Sequence, residues 1–261
     1  MQPNAWWTEI EQRADRAPAQ PRVALLMAGH DVPIGSIEPA LGERMAAAGL
    51  PIVRAGEGAW QVAAPADPSL ARLARWLNDE GLGSRWRDEL LEVCDTAGRP
   101  LAAIERSVVR PLGIATAAVH LVGRCADGSV WVQQRALDKA TDPGLWDTLM
   151  GGLMAHGESV RTTLVRETWE EAGLLLHELA EIEPIGEVVV RRPVSDGYMV
   201  ERIHVYEALL PDGLVPHNQD GEVERFERLS LETLRARLEA DRFTLEASLV
   251  LLRWLRHRGL R

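Results

Sequence analysis

Residues 152–174 read GLMAHGESVRTTLVRETWEEAGL, and this stretch decides how the chain folds. Ser159 is a residue type that caps helix N-termini, and Gly173 is the type that ends helices in the left-handed conformation. The two residues therefore bracket one short predicted helix. On a 3.6-residue repeat the apolar side of this helix consists of Leu164, Val165, Thr168, Trp169 and Ala172.

Three carboxylates fall together on the opposite side of the predicted helix. Glu167, Glu170 and Glu171 are spaced i, i+3 and i+4, so their side chains are neighbours and repel one another. A hard divalent cation bound through oxygen atoms removes that repulsion, and Mg²⁺ is the common choice. Arg166 lies beside Glu167 and one turn before Glu170, where it can steer a carboxylate. A solvated acidic face is the alternative interpretation.

The acidic face alone does not account for the glycine and the fixed gaps around the carboxylates. The pattern Gly-x5-Glu-x7-Arg-Glu-x2-Glu-Glu-x-Gly matches the Nudix box, so the chain resembles the Nudix hydrolases. Thr168 departs from the pattern, because the family usually has an aliphatic residue there. The resemblance implies an α/β fold, the Nudix α/β/α sandwich, and cleavage of a diphosphate linked to another moiety.

The resemblance also assigns roles to the residues of the box. The metal ligands that it implies are the Gly152 carbonyl, Glu158, Glu167, Glu170 and Glu171. Glu158 is expected as an outer-shell or second-metal ligand, and Arg166 as the residue that orients Glu167. The expected cofactor is Mg²⁺ or Mn²⁺, which neutralises phosphate charge and lowers the pKa of a bound water.

The general base stays open at this point. In the superfamily it is either a box glutamate or a glutamate from a later loop. The candidates from that loop are Glu222 and Glu224, within the segment DGEVE at 220–224. Glu222 is the one that we include among the predicted catalytic residues, and plain solvation of the loop is the alternative.

Two basic residues before the box could bind phosphate oxygens. Lys139 is the only lysine of the chain, which favours a specific role, whereas a surface role is equally open for Arg135. Trp131 or Trp146 could stack on a substrate ring, and Trp146 is included among the predicted substrate-binding residues. Core packing is the alternative for each tryptophan.

The 261-residue chain is long enough for two domains. We predict a small α/β module over residues 1–110 and a Nudix domain over 111–261, joined near Pro111 and Gly113. In the first part we predict helices at 6–16, 36–48 and 68–78, strands at 22–27 and 60–63, and a hairpin of 89–94 with 101–105. In the second part we predict strands at 115–125, 129–135, 148–152, 185–194 and 198–209, and helices at 231–239 and 245–256.

Composition excludes several classes of protein. The chain contains 46% hydrophobic and 26% charged residues, and these fractions are typical of a globular protein. A net charge of −10 argues against a general binder of nucleic acid or of anionic membranes, and no apolar run has the length of a membrane span. The arginine bias suggests a bacterium with a GC-rich genome. The early acidic residues argue against a signal peptide, and Cys94 and Cys125 are expected as buried thiols, so a cytoplasmic location is predicted.

A narrower resemblance covers most of the chain. The runs GIATAAVHLVGR (113–124), WVQQRALDK (131–139) and PGLWDTLMGGL (143–153) resemble Nudix proteins related to those associated with thiamine pyrophosphokinase, which also carry an N-terminal module. This resemblance implies thiamine diphosphate, or a damaged analogue, as the substrate. ADP-ribose or another nucleoside diphosphate derivative is the alternative. The expected partner is this small molecule, with no nucleic acid and no membrane, and homodimer formation stays an open alternative.

Two other activities fit the fold less well. Isopentenyl diphosphate isomerases share the fold, but their chemistry needs a cysteine and a His-Pro pair near the start of the box. Gly151 and Gly152 occupy that region here, and no cysteine is close in sequence. Non-catalytic Nudix-fold binding modules usually lose box glutamates, whereas this box keeps all four.

Overall fold

The computed structural model describes residues 5–56 and 58–260. Within the first part of the chain the elements are α1 (Ala5–Ala14), β1 (Val23–Met27), β2 (Gly35–Ile37), α2 (Pro39–Ala47), β3 (Ile52–Ala55), β4 (Ala59–Val62), α3 (Ala66–Asp79), β5 (Leu90–Cys94) and β6 (Pro100–Glu105). The second part contains β7 (Thr116–Arg124), β8 (Val130–Arg135), β9 (Trp146–Asp147), β10 (Met150–Leu153), α4 (Val160–Ala172), β11 (Ala180–Val194), β12 (Gly197–Leu209), β13 (Val223–Leu229), α5 (Leu231–Glu239) and α6 (Leu245–His257).

The larger sheet has the strand order β11-β12-β7-β8-β13, with β7 at its centre and parallel to β12. Helix α4 covers one face of this sheet, over a core that includes Val119, Leu121 and Leu164. Helix α6 covers the other face, over a core that includes Val132 and Ile203. The α/β/α sandwich is therefore confirmed.

Strands β8 and β10 share one edge of β7. Strand β8 pairs with the end of β7, at Gly123 and Arg124, whereas β10 pairs with its earlier part, from Ala118 to Leu121. A cleft opens where the two strands diverge, and it places Gly151 and Gly152 of β10 beside the central strand.

Both predicted ends of α4 are confirmed. The Ser159 hydroxyl accepts a hydrogen bond from the Thr162 amide at 3.1 Å, as an N-cap does. Gly173 has φ of 64°, in the left-handed region that glycine enters without strain. The departure at Thr168 is accommodated because its hydroxyl donates to the Leu164 carbonyl at 2.6 Å, so the side chain is buried without an unpaired donor.

The predicted apolar side of α4 was partly wrong. Leu164, Thr168 and Ala172 are buried, but Val165 and Trp169 are 45% and 46% exposed. The fully buried strip instead includes Glu171, which is 5% exposed. The helix is rotated relative to the expectation because its inward face carries a carboxylate toward the sheet.

The first part of the chain contains a four-stranded sheet of order β2-β1-β4-β3, packed with α2 and α3, and a separate hairpin of β5 and β6. The helix predicted from residue 36 begins instead at Pro39, because residues 35–37 pair with β1 as a strand. Strands β3 and β13 were not predicted, since β3 is only four residues long and β13 reads VERFERL, with little apolar content.

Helix α1 packs on the second part of the chain rather than on the first. Trp7, Ile10 and Ala14 belong to the same apolar core as the inner residues of α6, and Arg256 of α6 stacks on Trp7 at 5.2 Å. The boundary at residue 110 stays a prediction, but residues 5–14 lie against the predicted Nudix domain. Among residues 5–56 and 58–260, no helix combines the length and apolarity needed to cross a membrane.

We expect Trp7→Ala to lower the free energy of unfolding by about 3 kcal/mol, because a buried tryptophan leaves a large cavity. The expected loss is at the low end of the usual range because the Trp7 indole N–H lacks a hydrogen-bond partner among the described residues. Urea denaturation measures the loss. Trp169→Ala, on the exposed side of α4, is the control and should cost less. Equal losses in the two variants would contradict the placement of α1.

Candidate functional site

A cavity of about 470 Å³ lies at the cleft between β8 and β10. The sequence segments around it come from both parts of the chain. The second part contributes residues of the box, among them Gly151, Gly152, Glu167 and Glu171. The first part contributes Arg85, Arg87, Arg106 and Arg110.

Arg166 connects three carboxylates of the box. Its guanidinium donates to Glu158 through Nε and Nη2, each at 2.8 Å, and through Nη1 to Glu167 at 2.7 Å and Glu170 at 2.9 Å. The hydrogen bonds from Arg166 lower the pKa of Glu158 to about 2. The predicted contact between Arg166 and Glu167 is thus present in the structure, together with two further contacts.

Gly152 leaves room for the carboxylate of Glu167. A Cβ atom at position 152 would lie 1.9 Å from the Glu167 Cδ atom, so any larger residue would displace Glu167 from β10. The glycine brings the backbone of residue 152, including its carbonyl, next to the first carboxylate of the helix. The fixed spacing of the box therefore has a steric reason.

Glu171 is buried behind this group. Its Oε2 atom accepts hydrogen bonds from Gln133 Nε2 at 2.8 Å and from the Gly151 amide at 2.9 Å. Burial, followed by the charge of Glu167, raises the pKa of Glu171 to about 8. Burial also raises the pKa of Glu167. Glu171 is therefore not part of a solvated acidic face.

The site fits a divalent metal ion by its chemistry. The groups that would hold the ion all offer oxygen atoms, which Mg²⁺ and Mn²⁺ prefer. Burial disfavours the charges of Glu167 and Glu171, and a cation removes that cost. The ligand roles of Gly152, Glu158, Glu167, Glu170 and Glu171 remain predictions.

In the described residues, the one group of three potential ligand atoms that come this close together lies outside the box. Oxygen atoms of Glu183 and Glu207 and a ring nitrogen of His257 come within 4.8 Å of one another. The buried Glu207, however, already accepts hydrogen bonds from Trp254 Nε1 at 2.7 Å and Arg258 Nε at 3.0 Å. These contacts satisfy the carboxylate, so this group needs no metal ion.

The hairpin of β5 and β6 holds the loop of the box. The His156 amide donates to the Leu90 carbonyl at 2.8 Å, and the Gly157 amide donates to the Glu92 carboxylate at 3.3 Å. Leu91 forms a β-bridge with Ala155. Since this loop connects Gly152 to Glu158, the first part of the chain fixes where Glu158 meets Arg166.

The two loop candidates for the general base, Glu222 and Glu224, occupy different environments in the structure. Glu222 lines the cavity and forms an ion pair with Lys139, whereas Glu224 lies on β13 outside the cavity lining. Burial acts to raise the pKa of Glu222, but the hydrogen bond and charge of Lys139 outweigh it and hold the pKa below its usual value. Glu222 is therefore ionised at neutral pH.

Arg135 and Lys139 both line the cavity, as phosphate-binding residues would. The Arg135 guanidinium also donates to the Thr141 carbonyl at 3.0 Å. Trp146 does not belong to the lining; it is 4% exposed and lies between the guanidinium groups of Arg237 and Arg225, at 4.6 and 5.4 Å. The prediction that Trp146 binds substrate is therefore wrong, and Trp131 likewise packs against the core under α4.

Sequence reasoning missed Glu201, which lines the cavity next to Glu246. Burial raises the pKa of Glu201 to about 7, and the Thr116 hydroxyl donates to its carboxylate at 3.1 Å. A signal was present in the sequence, because Glu201 lies on the same face of β12 as the buried residues Met199, Ile203 and Val205. A carboxylate at an inward position of an otherwise apolar strand indicates a site.

His120 also lies in the cavity wall. Its Nδ1 atom is 3.0 Å from the Thr148 hydroxyl, which itself donates to the Met150 carbonyl at 2.8 Å. The Thr148 oxygen is thus the acceptor, and Nδ1 carries the proton. Burial lowers the pKa of His120, so the ring is neutral at neutral pH.

The fold and the site define an α/β/α sandwich whose helix α4 presents a group of carboxylates to a cavity. A family model described as the NUDIX domain matches residues 114–249, which is about half of the chain. The chain therefore belongs to the Nudix family.

Curated relatives extend this similarity. The chain is 31% identical over 198 residues to Nudix hydrolase 20, chloroplastic, of Arabidopsis thaliana, covering 73% of this chain and 52% of the relative. It is 31% identical over 199 residues to Nudix hydrolase 24, chloroplastic, of the same plant, covering 74% and 54%. The chain spans about half the length of these relatives. Both alignments are longer than the NUDIX match, so they include residues outside it.

One solved structure supports the fold alone. DR0079 from Deinococcus radiodurans aligns with a TM-score of 0.51 and 21% identity, covering 64% of this chain and 98% of that protein.

We expect Glu171→Gln to stabilise the metal-free protein at pH 8 relative to wild type, with a smaller difference at pH 5. Because the folded-state pKa of Glu171 lies above its unfolded value, wild type loses stability as pH rises from about 4.5 to 8. Each pKa unit corresponds to about 1.4 kcal/mol, so a gain of at least that size is expected. Urea denaturation in EDTA at the two pH values measures it.

The matched control is Glu170→Gln, since Glu170 is half-exposed and bonded to Arg166. This variant should show no gain between pH 5 and pH 8. An equal pH-dependent gain in both variants would contradict the burial of Glu171.

Proposed function

We propose that the protein is a metal-dependent hydrolase that cleaves a diphosphate linked to another moiety. The observation that carries the proposal is the carboxylate group organised by Arg166 beside a cavity that six arginines also line. Carboxylates suit metal ions, and arginines suit phosphate oxygens. The Nudix hydrolases among the relatives support the same activity.

The proposal gives different residues the tasks of binding metal, binding phosphate and accepting a proton. Glu167, Glu170 and Glu171, with Glu158 and the Gly152 carbonyl, would hold Mg²⁺ or Mn²⁺. The metal ion would neutralise phosphate charge and make a bound water more acidic. Arg166 keeps the carboxylates in place, and Arg135 and Lys139 face the phosphate groups. Glu222, which is ionised and lines the cavity, accepts the proton of the attacking water.

Two alternatives find less support. An isomerase of isopentenyl diphosphate would need a cysteine at the site, but neither Cys94 nor Cys125 lines the cavity. A binding module without catalysis would not require the four box glutamates to remain in contact with Arg166 and β10.

We expect Glu170→Gln to lower kcat at least about a hundredfold, which corresponds to ~2.7 kcal/mol of transition-state stabilisation. The amide keeps its hydrogen bond to Arg166 but loses the charge that would bind metal. Steady-state hydrolysis of a panel of diphosphate compounds with Mg²⁺ measures the effect, and excess EDTA should abolish the wild-type activity. Glu224→Gln, outside the cavity, is the control. Full activity in EDTA or in Glu170→Gln would contradict the proposal.

For the substrate, we infer thiamine diphosphate or a damaged analogue of it, cleaved to the monophosphate. Glu201 and Glu246 add two carboxylates to the cavity lining, and a carboxylate suits a cationic ring. The similarity to the plant relatives also includes residues outside the NUDIX match, consistent with a shared N-terminal module. Against this, the arginines of the cavity suit ADP-ribose or another nucleoside diphosphate derivative equally well.

The substrate assignment is tested by kcat/KM for thiamine diphosphate, its oxidised analogues, ADP-ribose and a dinucleotide. We expect a thiamine compound to have the highest value, and Glu201→Gln to lower that value while leaving ADP-ribose unaffected. A hundredfold preference for ADP-ribose or the dinucleotide, about 2.7 kcal/mol, would overturn the thiamine assignment and leave the hydrolase proposal intact.

The proposal also covers the source of the protein, its location, its partners and its oligomeric state. A bacterial source and a cytoplasmic location rest on the composition. A small-molecule substrate, the absence of a nucleic-acid partner and a homodimer remain predictions as well. Size-exclusion chromatography with light scattering measures the oligomeric state.

A further inference from the structure

A pair of arginines from the first part of the chain faces the cavity without a partner. Arg85 and Arg87 line the main cavity and a smaller one of about 120 Å³ that shares residues with it. In the part of the chain that the structure describes, neither guanidinium has a carboxylate within 4.0 Å. Their neighbours Arg106 and Arg110 are, in contrast, paired with carboxylates at 2.7 and 3.5 Å.

Overall charge makes this pair informative. The chain has a net charge of −10, so acidic partners for a surface arginine are abundant. Arg85 and Arg87, which remain unpaired, keep their positive charge available to the cavity. The cavity is also lined by Glu167 and Glu171 of the box, which would repel an anion, so unpaired arginines in the same lining favour an anionic ligand.

The loop that carries the two arginines is held in place. The buried carboxylate of Glu105 accepts hydrogen bonds from the Arg87 amide at 2.9 Å and the Glu89 amide at 3.1 Å. Trp86, between the two arginines, packs against the core of the first part of the chain under Arg75, at 4.9 Å. Because Trp86 points into that core, the residues before and after it point the other way. Both Arg85 and Arg87 therefore line the cavity.

We propose that Arg85 and Arg87 bind the phosphate group of the substrate that lies away from the box carboxylates. Each guanidinium offers five N–H donors in a planar fork, which matches phosphate oxygens better than an ammonium group does. Arg106, which lines the cavity together with them, acts through its positive charge on both Glu222 and Glu201. The arginines of the cavity therefore lie near the proposed general base, Glu222, and near Glu201. This assignment rests on the proposed diphosphate hydrolase for its substrate, but phosphate binding itself does not require hydrolysis.

The first experiment is calorimetric titration of the metal-free full chain with inorganic phosphate. We expect wild type to bind phosphate and the double variant Arg85→Gln/Arg87→Gln to bind it at least tenfold more weakly. Arg72→Gln, an exposed arginine of α3 outside the cavity, is the matched control and should bind as wild type does. No binding by wild type, or equal Kd values in wild type and the double variant, would overturn the proposal.

The second experiment is hydrolysis of diphosphate compounds with Mg²⁺. We expect the double variant to raise KM at least tenfold and to change kcat less, since the arginines contact a phosphate in both the ground state and the transition state. Arg87→Lys keeps the charge without the fork and should give an intermediate KM. If phosphate binding weakens but KM stays the same, the pair binds free phosphate only and the assignment to the substrate is wrong.

The two experiments separate this assignment from the proposed function. A wild-type protein that hydrolyses no diphosphate defeats the proposed function, while the calorimetric result still reports on the arginines. Thermal unfolding of the double variant should match wild type, because both arginines are exposed and make no side-chain hydrogen bonds with described residues.

Discussion

The interactions of Arg166 hold the site together. One guanidinium satisfies Glu158, Glu167 and Glu170, and its Nη2 atom also donates to the Leu153 carbonyl at 3.1 Å. Without that cation, Glu167 and Glu170, at i and i+3 on α4, would repel one another and the helix would lose stability. The arginine therefore connects the helix, the loop that carries Glu158 and strand β10, and the metal-binding groups depend on it for their positions.

Sequence reasoning predicted the parts of the fold that local chemistry determines. The helix caps at Ser159 and Gly173 follow from residue type alone, and the Gly152 position follows from a spacing that has a steric cause in the structure. The rotation of α4 could not be predicted from periodicity. Its inward face includes Glu171, which is buried because Gln133 and the Gly151 amide, distant in sequence, satisfy its carboxylate.

Residues of the cavity were predicted in the box and at Arg135, Lys139 and Glu222, whereas others were missed or wrongly chosen. Trp146 was chosen for its nearness in sequence, but the alternation of its strand turns it into the core on the far side of the sheet. The cavity residues Glu201, Arg85 and Arg87 lie far from the box in sequence and approach it only through the strand order and the packing of the two parts of the chain. The strand pattern marks Glu201 as an inward carboxylate, but no local pattern shows that Glu201, Arg85 and Arg87 approach the box.

Helix α1 changes how the two parts of the chain can move. Residues 5–14 pack on α6, and the chain returns to the same domain at Pro111, where Arg22 donates to the Pro111 carbonyl at 2.6 Å. Both ends of the intervening module are thus joined to that domain, and the hairpin of β5 and β6 adds a further attachment at His156 and Gly157. A movement of the module as one body would have to break the hairpin contacts, so opening the cavity would also release the loop that carries Glu158.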